Sequence, residues 1–419
     1  MSSRVLPIDV VRVPPGLEPL RAEVRTFLDS EIRRGAFTPQ CDSWLTGWDE
    51  PFSRRLAEHG WIGMTIPRRY GGQGRTVLDR QVVLEELLAV GAPVAAHWIA
   101  DRQTAPSLLR YGSEQQRAEF LPEIAAGRCY FAIGMSEPDS GSDLASVRTR
   151  AVRVAGGWRL TGTKVWTSGA HRAQWFFVLA RSAPDTGDRH AGLSQFIVNL
   201  RAEGVTVRPV RLLTGEHEFN EVQLDGVFVP DRYVLGEIGS GWGQVTSELG
   251  YERSGPERLL TTFPLLAALV SEVRRRADRD PAAVAEIGAL TSRLLTLRQL
   301  SLSVAGMLAA GKPADVAAAL VKDLGTRFEQ EVAERARMLA DEMPDPDAAL
   351  GTFTGHLVRG LLHSPDTPCA VAPTRCCAGS SPRRWSAHER GVARDRGDRG
   401  SDLLGVDAGG RGPVLRRVG

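Results

Sequence analysis

Lysine is almost missing from this chain. Lys164, Lys312 and Lys322 are the three present, so 49 of the 52 basic side chains are arginine, the bias of a GC-rich coding sequence rather than of a function. An excess of either charge is missing too, since 50 acidic residues leave a formal net charge of +2. No broad basic surface is available to follow a phosphate backbone, which removes nucleic acid from the expected partners. Nothing approaches the roughly 18 consecutive apolar residues that a membrane span requires, and residues 1–13 hold no continuous apolar segment to serve as a secretory signal. A cytoplasmic protein without a membrane span is expected. Cysteine is scarce, five in 419 residues, with no Cys-x-x-Cys and no clustering with histidine. Neither a metal site nor a disulfide scaffold is therefore expected, and Cys41 and Cys129 read as small buried or half-buried fillers.

What is present is length enough for two or three domains or one large core, and three changes of rhythm. Leu20, Val24, Phe27, Leu28 and Ile32, then Val83, Leu84, Leu87 and Leu88, recur at helical spacing, so residues 1–130 are expected to form an all-helical domain. Over residues 131–240 the apolar residues fall into short runs of period two, at 176–179, 196–198, 205–213 and at Val222, Leu224, Val227 and Val229. Gly156-Gly157 and Asp225-Gly226 punctuate them, which predicts a middle antiparallel β domain, a small barrel or sandwich. Helical spacing returns at Ile287, Leu290, Leu294 and Leu297 and again at Leu320, Leu324, Phe328 and Val332, predicting a helical bundle over 241–364. Residues 365–419 hold ten arginines, three of the five cysteines and no apolar period, and read as a disordered tail. The fold class is α+β, in the order helices, sheet, helices.

The most informative stretch is residues 132–143, Ala-Ile-Gly-Met-Ser-Glu-Pro-Asp-Ser-Gly-Ser-Asp, where the helical third meets the strands. Gly141 lets a ligand approach the backbone closely, and Ser136 and Ser142 offer donors to the oxygens of a polar or anionic cofactor. Taken alone, the stretch fits a strand ending in a polar turn equally well. Residues 157–170, Gly-Trp-Arg-Leu-Thr-Gly-Thr-Lys-Val-Trp-Thr-Ser-Gly-Ala, follow at close spacing. Their Gly-x-x-x-x-Gly-Thr-Lys start is near a phosphate-loop pattern but falls in a predicted hairpin rather than between strand and helix. Trp166 by itself fits a core position better than a site, and His171 and His190 read as lone surface or structural histidines. The glycines at 239–243 lack a preceding parallel strand and a following acidic residue, so they make no dinucleotide fingerprint.

Together these two blocks, with Gly60-Trp61-Ile62-Gly63 and Tyr70-Gly71-Gly72 before them and 219–230 after them, resemble the acyl-CoA dehydrogenases over about residues 15–364. The resemblance implies an N-terminal helical domain, a middle β domain and a C-terminal four-helix bundle. It also implies FAD, an acyl-CoA substrate, an electron-transfer flavoprotein as acceptor, and a homo- or hetero-oligomer. Carried over residue by residue, it places Met135, Ser136, Gly141, Ser142, Trp166 and Ser168 at the flavin, and Ser142 and Arg253 at the substrate.

Desaturation between the α and β carbons needs a carboxylate to take the α proton while the β hydrogen leaves as hydride. Some members of the family carry that glutamate in the first helix of the bundle, immediately before an arginine. Glu252, in Tyr251-Glu252-Arg253, stands at that position; a solvated carboxylate paired with Arg253 or Arg258 is the plainer reading of the same residue. The family's usual closing motif near the C-terminus, Tyr-Glu-Gly-Thr, is absent as written. A one-base slip of the reading frame near Asp366 would permit Thr-Leu-Arg-Gly-Gly-Thr-Asn-Glu across the residues from Pro368 onward, so the tail reads as frame-shifted. Even in that frame the closing glutamate is missing, which favours Glu252. Residues 273–281, Val-Arg-Arg-Arg-Ala-Asp-Arg-Asp-Pro, also depart from the family's usual Arg-x-Gln-Phe-Gly segment. In this they resemble a bacterial branch acting on steroids and side chains, in which two different subunits share flavin sites. Two other functions remain open on the residues: a noncatalytic or crippled subunit, and an oxidase that uses oxygen as acceptor.

Overall fold

The computed structural model describes residues 8–364, apart from 185–186, 277–279, 313 and 342 and the side chains of 249–252. The aberrant tail, the middle of the 273–281 segment and the side chain of Glu252 therefore lie outside the described residues.

Local chemistry accounts for where the helices begin. Glu114–Ala125 starts from a reciprocal capping box between Ser113 and Gln116, and Val77–Ala89 from one between Thr76 and Asp79. Glu18–Arg33 buries Leu20, Val24 and Leu28 at intervals of four. Val77–Ala89 is instead buried nearly all round, because it lies between the first helix and the bundle. Its Glu85 is paired with Arg21 of the former at 3.2 Å and with Arg298 of the latter at 2.8 Å. One apolar core runs from Leu20 and Leu28 through Leu87 and Trp98 to Leu265, Leu290, Phe328 and Leu357. The helices at the two ends of the chain thus share an interior. Phe263–Arg275, Pro281–Ala309, Asp315–Leu339 and Phe353–His363 form the bundle.

Between them lies one sheet: β1 (Phe131–Gly134), β2 (Arg150–Val154), β3 (Gly157–Lys164), β4 (Trp175–Arg181), β5 (Leu193–Asn199), β6 (Val205–Arg211), β7 (His217–Pro230) and β8 (Val234–Leu235). Its order is β6-β7-β3-β2-β4-β5-β8, with β1 added on β4. Most pairings are antiparallel, as period two predicts. β1 and β4 run parallel, however, from Phe131 opposite Trp175 to Gly134 opposite Val178. The β2–β3 hairpin is the crossover that makes this possible, and no periodicity announces it. β4 is buried continuously from Phe176 to Ala180 because both faces are covered. Phe177 and Ile197 meet the helical residues Leu108, Phe120 and Leu121 on one side, while Phe176, Phe196 and Val198 pack with Trp158 on the other.

Candidate active site

β1 ends at Gly134, and the chain turns at once into the segment 135–143. Glu137 and Ser140 close this turn through reciprocal backbone hydrogen bonds of 2.8 and 3.1 Å. The Glu137 carboxylate points inward, accepting from the amides of Arg148 at 2.6 Å and Thr149 at 2.9 Å and from Lys164 Nζ at 2.8 Å. Lys164, fully buried, also donates to Met135 O at 3.0 Å. Burial pushes the Glu137 carboxyl up, but Lys164 and the two amides outweigh it and hold it below the ordinary value. Burial pulls the Lys164 ammonium down to about 8 against the pull of Glu137, so the pair is ionised at neutral pH. The lysine set aside in the sequence as a false phosphate loop is thus the internal anchor of the neighbouring turn. With Glu137 directed inward, the turn leaves Met135 and Ser136 half-buried and Gly141 and Ser142 exposed. A Cβ on Gly141 would meet nothing, so no packing demand explains the glycine.

The end of β3 joins this turn through Val165 N, which donates to Ser136 O at 3.0 Å. Trp166 follows with a φ of 58°, left-handed for a bulky residue, and is 60% exposed. The core position that tryptophan composition favours is therefore wrong. The indole meets Phe219 edge-on and is otherwise offered outward, while Thr167 beside it is fully buried and Ser168 half-buried. A bulky side chain in this region of backbone space costs about 1–3 kcal/mol and is kept where the surroundings enforce it, as at ligand sites. Two predicted groups, Met135 and Ser136 on one turn and Trp166 and Ser168 on the other, are thereby brought edge to edge.

Gly241–Glu252 packs on β5 and on a π-helical turn, Ala100–Thr104. Gln244 fastens it, donating to Leu235 O at 2.7 Å. Glu252 is its last residue. Arg253 next to it is half-buried, and its Nε has no hydrogen-bond partner among the described residues. Glu257, one turn on, is fully engaged: Arg102 of the π-helical turn donates to it at 2.7 Å, with both side chains nearly inaccessible. His190, read as lone, stacks on Trp242 at this helix's start, with centroids 4.2 Å apart. His171 likewise stacks on His217.

A junction that no sequence signal announced lies where the last described helix meets the other two parts. His363 Nδ1 is 3.1 Å from Asp42 and its Nε2 is 3.2 Å from Glu216, while Arg359 reaches Glu216 at 2.8 Å. Burial lowers the His363 pKa, but Asp42 and Glu216 overcome it and push it up to about 9. A histidine pKa raised above its ordinary 6.5 adds stability that is complete below about pH 6.5 and lost as pH rises through about 9. The free energy of unfolding is accordingly expected to fall across that window, at a limiting slope of about 1.4 kcal/mol per pH unit. His363→Gln should flatten this part of the profile; an unchanged profile would show that the junction is not ionic.

The residues present fit a flat, polar cofactor: an outward indole in an enforced turn, a hydroxyl two residues on, and an open glycine-serine arm beside them. Among the described residues no cluster of His, Cys, Asp and Glu could hold a metal ion, and no helix is long and apolar enough to cross a membrane. Residues 15–128 match the family described as acyl-CoA dehydrogenase, N-terminal domain, and residues 132–227 the one described as acyl-CoA dehydrogenase, middle domain. The Mycobacterium tuberculosis protein named acyl-CoA dehydrogenase FadE26 is 31% identical over 380 residues, covering 85% of this chain and 92% of that protein. FadE34 of the same organism is 34% identical over 290 residues, 68% of this chain but 40% of FadE34. Of solved structures, the Tcur3481-Tcur3483 steroid ACAD is similar at a TM-score of 0.78 and 26% identity, covering 90% of this chain and 98% of that one. The ChsE4-ChsE5 complex from Mycobacterium tuberculosis is similar at 0.74 and 26%, with 88% and 96% covered.

Proposed function

Since the chain belongs to the acyl-CoA dehydrogenase family, we propose that it takes part in FAD-dependent α,β-dehydrogenation of an acyl-CoA thioester. The observation that carries this reading is the Trp166 turn, strained, exposed and hydrogen-bonded to Ser136 of the 135–143 turn. Met135, Ser136, Gly141, Ser142, Trp166 and Ser168 would hold the cofactor. FAD, when bound, supplies the acceptor for the β hydrogen. Glu252 is the base that removes the α proton, and Ser142 and Arg253 bind the thioester. Glu257 is unsuited to that task because Arg102 already holds its carboxylate. Electrons would leave to an electron-transfer flavoprotein; oxygen uptake with peroxide release would identify an oxidase instead.

A second reading concerns assembly. Two similar structures at 26% identity are named as pairs of different subunits, one of them a steroid ACAD. With the altered tail and the departing 273–281 segment, this supports a heteromer in which this chain supplies part of each site, with a steroid-like acyl-CoA as substrate class. The purified protein is expected to be yellow and to bleach when an acyl-CoA thioester is added anaerobically. A protein that stays colourless with added FAD, alone and with a candidate partner subunit, would sink the flavin reading.

A further inference from the structure

The Trp166 turn needs something to hold it, and the holding group is on β7. Asn220 is fully buried. Its Nδ2 donates to Thr167 O at 2.9 Å, and its own backbone O accepts from Thr167 N at 3.0 Å, so the peptide groups on either side of Thr167 are pinned to one residue. Gly169 N adds a bond to Glu218 O at 2.9 Å. The amide's orientation follows from its neighbours, because the carbonyls of Thr167 and of Glu218, the latter at 3.3 Å, both require a donor there. Its other face meets two imidazoles: His217 Nε2 lies 2.7 Å from Oδ1, and His171 Nδ1 lies 3.2 Å from Nδ2. The two rings are stacked, 3.9 Å between centroids and 19° between planes. Burial, with His217 and Arg172 close by, pulls the His171 pKa down to about 4. His171 is therefore neutral at ordinary pH, and in the tautomer with Nδ1 unprotonated it shares the second N–H of the amide with Glu218 O.

We propose that Asn220, oriented by the stacked His171 and His217, is the positioning residue that holds Trp166 and Ser168 in the geometry that receives the cofactor. The proposal rests on the flavin reading above and adds to it a residue that touches neither cofactor nor substrate. The mechanism is mechanical. With its side chain gone, the Thr167 carbonyl loses its buried donor, and the φ of Trp166 relaxes toward ordinary values, turning the indole out of place.

Two readouts on the full-length protein test it. In Asn220→Ala, amide hydrogen exchange in the peptide covering 165–172 is expected to quicken by roughly tenfold or more, since one buried hydrogen bond of about this worth is lost. FAD affinity is expected to weaken by roughly tenfold on the same ground. Asn220→Asp, which keeps size and the acceptor toward His217 but not the donor toward Thr167, serves if the alanine variant does not fold, with the same two expectations. Exchange unchanged in a folded variant would overturn the proposal, and so would faster exchange with unaltered FAD affinity. A parent protein that binds no FAD would show instead that the flavin reading has failed, while exchange still decides whether Asn220 holds the turn.

Discussion

Desaturation of an acyl-CoA thioester is expected to run roughly 10²–10⁴-fold slower in a Glu252→Gln variant than in the parent, with FAD and thioester bound as before. The size follows from the chemistry: the α proton is weakly acidic, and a glutamine cannot take it. Glu252 is the last residue of the helix Gly241–Glu252, which packs on β5 and on the Ala100–Thr104 turn. The nearby alternative is excluded by its bonds. Glu257 is locked to Arg102 in a nearly inaccessible pair, so Glu257→Gln should act on stability before it acts on rate. Single-turnover bleaching by a thioester separates the two. Full-rate turnover in Glu252→Gln would remove it as the base, and unaltered stability in Glu257→Gln would remove the argument against its neighbour.

Lys164→Ala is expected to cost about 3–5 kcal/mol in urea unfolding, the range for removing one partner of a buried ion pair. Lys164 and Glu137 are 0% and 7% exposed and 2.8 Å apart, so the lost ammonium leaves a carboxylate with two amides and little access to water. The same change frees Met135 O, and the 135–143 turn should loosen along with the fold. Lys164→Met combined with Glu137→Gln removes both charges and should recover part of the loss. If the single variant unfolds at the parent's urea concentration, the turn is held by its backbone alone.

Much of this architecture was legible in advance. Helical spacing in residues such as Leu20, Val24 and Leu28, and the period-two run Val222, Leu224, Val227 and Val229, belong to segments that the structure shows as a helix and as β7. Caps and turn glycines are equally local. The segments 132–143 and 157–170 could be tied to a family because motif order is itself a property of the chain, and the family comparisons bear that out.

What sequence alone determined, then, is the order and type of the elements and the family, since periodicity, capping and motif spacing all act over a few residues along the chain. Tertiary structure alone decided which residues do what together. Lys164 and Glu137 are 27 positions apart, Asn220 and His171 are 49 apart, and Arg359 reaches Cys41 across 318. Taken alone Trp166 reads as core, and only the family resemblance put it at a site; its indole is exposed where β7 and the turn that Lys164 anchors hold the neighbouring backbone. A buried polar group must find a partner wherever the fold brings one, and no local pattern of residues records which partner that is.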